Sequence, residues 1–192
     1  MLPQGEIVLA NGFVFFTNEI DVTPGTLSAW VDVDVSSHIP EGSTGVILKL
    51  VNTSTSTSYQ IGVRKNGSTD DFGIYISYRY LRYAFVGVDS NRIFEAYVAN
   101  AALKIYLVGY ADSSVTFFTN AVLITPDTTG SWVDVDLSSY ISSSATGVMC
   151  LIYNASTGTI YSGGIRKNGS TDTFTLGKVY YNKRFVYQVC GV

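Results

Sequence analysis

Trp30-Val31-Asp32-Val33-Asp34-Val35 places three valines on one side of an extended chain and Trp30, Asp32 and Asp34 on the other. Successive strand residues point to opposite faces, so this alternation predicts a half-buried antiparallel strand, valine inward and carboxylate outward. The string returns as Trp132-Val133-Asp134-Val135-Asp136. Outward from it, Phe15-Phe16-Thr17-Asn18 returns at 117–120, and Arg64-Lys65-Asn66-Gly67-Ser68-Thr69-Asp70 returns as Arg166-Lys167-Asn168-Gly169-Ser170-Thr171-Asp172. The offset is 102 residues each time, and about 32 of the 58 positions from Phe15 to Phe72 match without a gap. Identity at that level over one fixed offset reads as a tandem duplication.

The other runs carry the same period. Gly45–Val51, Tyr59–Arg64, Ile74–Tyr80, Tyr83–Val88, Arg92–Val98 and Lys104–Tyr110 are rich in β-branched and aromatic residues. Asn66-Gly67 suits a type I′ hairpin turn, and Pro24, Pro40 and Pro126 fall between runs. No window sustains an apolar period of 3.6. The expected fold is all-β: two tandem antiparallel β-sandwich (jelly-roll-like) domains from an internal duplication, with seven or eight short strands each. Residues 91–111 lie between the copies and have no full counterpart. They either close the first domain or open the second. Ile7-Val8-Leu9 resembles Ile105-Tyr106-Leu107, which favours the second choice: domains at 1–88 and 91–192, with a strand exchange left open.

Composition narrows the chemistry. The chain has 192 residues, 14% charged and 46% hydrophobic, with a net charge of −3. Enough apolar surface exists for a core, and too little positive charge for phosphate-driven nucleic-acid binding. His38 is the one histidine, replaced by Tyr140 in the second copy, and no nucleophile pattern surrounds it. One histidine and two cysteines argue against a Cys/His zinc site, and no cofactor is expected. Cys150 and Cys190 stand where the first copy has Leu48 and Val88, so buried thiols are expected, with a disulfide left open. The N-terminal residues show no basic-then-apolar signal, and no run is long enough to span a bilayer. The sequons at Asn52, Asn66, Asn154 and Asn168 then read as by-products of a Ser/Thr/Asn-rich surface.

Several groups have both a structural and a functional reading. Asp32/Asp34 and Asp134/Asp136 could hold Ca²⁺ or serve a glycosidase, or simply face solvent and pair with Arg64 or Arg166. The heptapeptide loops are either turn chemistry or projecting basic loops, with Arg64, Lys65, Asn66, Arg166, Lys167 and Asn168 meeting an acidic neighbour. Tyr78, Tyr80 and Arg82, with Tyr180 and Arg184 in the second copy, mix the residue types that anchor protein interfaces; tyrosine also stacks on sugars. Trp30 and Trp132 are either sugar platforms or packing residues.

Phe-Phe-Thr-Asn, Trp-Val-Asp-Val-Asp-[Val/Leu]-Ser-Ser, Thr-Gly-Val, Arg-Lys-Asn-Gly-Ser-Thr-Asp and Ile-Tyr-Leu-Val-Gly-Tyr together resemble repeats in tailed-bacteriophage virion proteins. The resemblance implies a β-sandwich or jelly-roll module in a structural or adhesion role, and no catalytic residues. The expectation is a non-enzymatic virion protein made in the host cytoplasm, a capsid decoration or minor capsid protein. Its partners would be the major capsid protein or neighbouring copies, in a homo-oligomer or a lattice, with no nucleic acid and no membrane. Met1–Glu6 is a candidate arm. A tail-fibre, adhesion or carbohydrate-binding module is the alternative, with a glycan as ligand.

Overall fold

The computed structural model describes residues 12–172, 177–179 and 184–192. The protein is all-β with antiparallel sheets, and divides into two compact units, 1–121 and 122–192.

Among the described residues the first unit holds eight strands: β1 (Phe13–Asp21), β2 (Trp30–Asp34), β3 (Gly45–Asn52), β4 (Tyr59–Lys65), β5 (Ile74–Ile76), β6 (Tyr80–Gly87), β7 (Ile93–Val98) and β8 (Leu103–Ala111). They form two four-stranded sheets, ordered β1-β8-β3-β6 and β2-β7-β4-β5. Alternation decides what is buried. Leu103, Ile105, Leu107 and Ala111 of β8 are buried while Lys104, Tyr106 and Tyr110 are part-exposed. Phe94, Ala96 and Val98 do the same on β7, and Val33 on β2 is buried as its pattern requires. β4 and β5 meet β6 across the layers.

β7 and β8 correct the expected boundary between 88 and 91. Residues 93–111 do not open the second unit. β8 lies between β1 and β3, and β7 between β2 and β4, so both sheets of the first unit are built around this segment. Two smaller expectations also change. Arg79 takes a left-handed φ of 55°, and the chain turns at 77–79 from one sheet to the other, splitting the run expected at 74–80. Asn66-Gly67 does not form a type I′ turn. Only Gly67 has positive φ (79°), and Ser68 N–H donates to Lys65 O at 3.0 Å, the type II pattern. Ile7–Leu9 and the Met1–Glu6 arm lie outside the described residues.

The second unit pairs β9 (Gly147–Asn154) with β12 (Arg184–Gly191), and β10 (Tyr161–Gly163) with β11 (Gly177–Val179). Trp132–Asp136 was expected as a strand and is not one. Its first-copy counterpart β2 pairs with β7, and among the described residues no strand pairs with Trp132–Asp136. Val135 is accordingly 42% exposed where Val33 is 8%. The ladder also corrects one alignment. Gly191 pairs with Gly147 as Gly87 pairs with Gly45, so two residues are inserted before β12, and Cys190 corresponds to Val86 rather than Val88.

Candidate functional site: a basic loop and the segment that covers it

The turn at 65–68 carries the first heptapeptide away from β4. Arg64 is fixed on every side. Its Nε and Nη2 donate to the Glu95 carboxylate on β7 at 2.8 and 3.3 Å, and Nη1 donates to Asp70 O at 2.9 Å. The guanidinium lies 4.3 Å from the centre of the Trp30 ring. Asp32 and Asp34 are therefore not the partners of Arg64. β7 sits between β2 and β4, and Glu95 reaches the arginine first. Asp34 instead accepts from Ser36 N–H at 2.8 Å, and hydrogen bonds from Ser36 hold its carboxyl below the usual range; Asp136 and Ser138 repeat this. In the second copy Arg166 lies 4.2 Å from the Trp132 ring centre and donates to Asp172 O at 2.9 Å. Both tryptophans thus carry a guanidinium on one ring face, a packing role.

Residues 112–121 follow β8 and cover the first loop. Asn120 Oδ1 accepts from Ser68 Oγ at 2.9 Å and Thr69 N–H at 2.8 Å, and Ala121 N–H donates to Asp70 Oδ2 at 2.7 Å. Lys65 Nζ donates to Phe117 O at 3.3 Å, and Asn66 Nδ2 donates to Asp89 Oδ2 at 2.9 Å. The Phe117 ring lies over Gly45 and Gly87, which are paired across β3 and β6. A Cβ on Gly45 would come within 2.3 Å of that ring, and one on Gly87 within 2.6 Å of Phe117 Cβ; only glycine leaves the room. The first loop is thus a receptor for Phe117-Phe118-Thr119-Asn120, the second copy of a motif read above only as a sign of duplication.

A second feature lies on β5 and β6. Tyr75, Tyr78, Tyr80, Leu81 and Tyr83 are each between 42% and 54% exposed, five large side chains open to water within nine residues. Arg82 lies 5.1 Å from the Tyr80 ring centre. Arg184 pairs through its backbone with Asn154, and its side chain lies outside the described residues, as does Tyr180. Among the described residues no three His, Cys, Asp or Glu side chains gather as metal ligands would. His38 is exposed, and Cys150 and Cys190 are free thiols. No family model, curated protein or solved structure matches the chain.

Proposed function

We propose that this chain is a non-enzymatic structural protein of a virion, a capsid decoration or minor capsid protein that holds to its neighbours by protein–protein contacts. We read its two units as jelly-roll-like sandwich modules from one duplication. The matching Arg–Asp carbonyl bonds and Trp–Arg stacks of the two copies support that descent. The observation that carries attachment is the run of exposed tyrosines and arginines from Tyr75 to Tyr83, where the chain passes from the edge of one sheet to the edge of the other. Tyrosine offers large contact area at small entropic cost, and arginine adds directional bonds at an interface rim. A contact of roughly 1,600 Å² would be stable on its own, and repetition over a lattice adds avidity.

The test is fractionation of producing cells on a density gradient. The chain is expected in the particle band, and Tyr78→Ala/Tyr80→Ala/Arg82→Ala is expected to lower its occupancy there about tenfold. A chain that stays at the top of the gradient overturns the reading. The same exposed tyrosines favour one alternative, a fibre or adhesion module that stacks on glycans. Specific binding on a glycan array, lost in that triple variant, would move the assignment there.

A further inference from the structure

The second heptapeptide loop is built like the first and left uncovered. Gly169 has φ of 81° against 79° at Gly67, and Asp172 N–H donates to Ser170 Oγ as Asp70 N–H does to Ser68 Oγ. The glycine pair recurs as Gly147 and Gly191, with Lys167 Cδ beside Gly191 as Lys65 Cδ is beside Gly87. Burial separates the two. Gly45, Gly87 and Ser68 are buried under residues 112–121, whereas Gly147, Lys167, Asn168, Thr171 and Asp172 are exposed. The matching ligand motif is also exposed. Phe15, the last residue paired with β8 before a break in register, is 54% accessible, and Thr17, Asn18 and Glu19 face solvent within that break, which ends at Ile20. Within the chain, pairing runs from the second copy's motif to the first copy's loop. Among the described residues nothing seats on the second loop, and the first motif seats on no loop.

We infer that a second copy of this chain covers the open loop, its Phe15-Phe16-Thr17-Asn18 seating on Gly147, Gly191, Ser170, Thr171 and Asp172 as 117–120 seats on the first loop. Phe15 lies over the glycine pair, Asn18 Oδ1 accepts from Ser170 Oγ and Thr171 N–H, and Glu19 N–H donates to Asp172. The contact is heterologous, with one face giving and another receiving, so it propagates head to tail and produces rings or filaments. Among the described residues β9 pairs only with β12, which leaves it a second edge beside this seam. The inference uses other residues than the tyrosine-rich segment and does not rest on the attachment reading.

The test is sedimentation velocity of the 192-residue chain over a concentration series, with two variants changed at exposed positions. The weight-average mass of the unaltered chain is expected to rise with concentration. Phe15→Ser/Asn18→Ala removes the giving face, and Asp172→Arg removes the receiving face. Each alone is expected to weaken self-association about tenfold or more. Mixed at equal concentration, they are expected to form a one-to-one dimer, since one keeps an intact loop and the other an intact motif. That recovery also shows that both variants fold. A mass independent of concentration, or a mixture as monomeric as its components, overturns the inference. Particle binding that survives in Asp172→Arg, with self-association lost, separates this seam from the tyrosine face. Self-association without particle binding sinks the proposed function and leaves the seam standing.

Discussion

Asn52 is fully buried, and nothing in a string of valines and leucines marks it as more than the end of β3. Its Nδ2 donates to Thr57 O at 2.9 Å and Ile76 O at 2.8 Å, and its Oδ1 accepts from Ser54 N–H at 2.9 Å. One amide therefore ties β3 to the loop that follows it and to the end of β5. Asn154 repeats all three bonds with Thr159, Val179 and Ser156. Both hydrogens of each amide nitrogen are committed, so neither sequon offers a nitrogen to a glycan in the folded chain. Asn52 and Asn154 are thus interior residues and not part of the Ser/Thr/Asn-rich surface to which their sequons were assigned. Replacing Asn52 by alanine strands two carbonyls and one N–H, and is expected to cost ~3 kcal/mol, read as a lowered urea midpoint. An unchanged midpoint would mean that water replaces the amide at no cost. The heptapeptides were legible as turns because glycine chemistry is local. The asparagine clamp was not, because its partners lie up to 25 residues away.

At the scale of the element, one sequence adopts two states. Trp30–Asp34 is a strand because β7 lies beside it. Val35 N–H donates to Arg92 O, and the alternating register turns Val33 and Val31 N–H to the same side. Trp132–Asp136 has the same alternation and, among the described residues, no such neighbour, and its valines stay exposed. A pattern of alternating residues states which face will be buried; it cannot supply the partner. Hydrogen exchange checks this directly. The amides of Val31 and Val33 are expected to exchange roughly a thousandfold more slowly than those of Val133 and Val135. Equal protection would show that Trp132–Asp136 pairs with something. The same limit explains the misplaced boundary. Residues 91–111 have no duplicate, so comparison of the copies is silent about them, and their place was settled by long-range pairing with β1, β2, β3 and β4. The seam at 112–121 was half-legible: its motif and its loop both stood out as repeats, and only the fold joins the second motif to the first loop.

For the whole molecule, the two units differ in how much apolar surface they remove from water. The first buries Phe94, Leu48, Leu50, Ile61, Leu103, Ile105 and Leu107 to 1% exposure or less. In the second, among the described residues, only Asn154 and Val179 are buried, and Leu123 and Val189 are 86% and 74% exposed. Burial supplies about 25 cal/mol per Å² of apolar surface, so the second unit is expected to unfold first, in its own transition. Cys150 and Cys190 both belong to that unit and report on it. Burial raises the pKa of both thiols, that of Cys150 further through the neighbouring Cys190, which keeps them protonated and slow to alkylate in the folded state. A thiol with its folded pKa raised binds its proton more tightly folded than unfolded. Stability is therefore constant below the ordinary thiol range and falls as pH rises through it, above about pH 8.5. In a urea series near neutral pH, alkylation of both cysteines in a Trp132→Phe variant is expected to accelerate well before the fluorescence of Trp30, now the one tryptophan, reports loss of the first unit. The gap is expected to narrow as protein concentration rises, since a copy seated on the second loop stabilises the unit that carries it. Coincident transitions at every concentration would mean that the two units unfold as one.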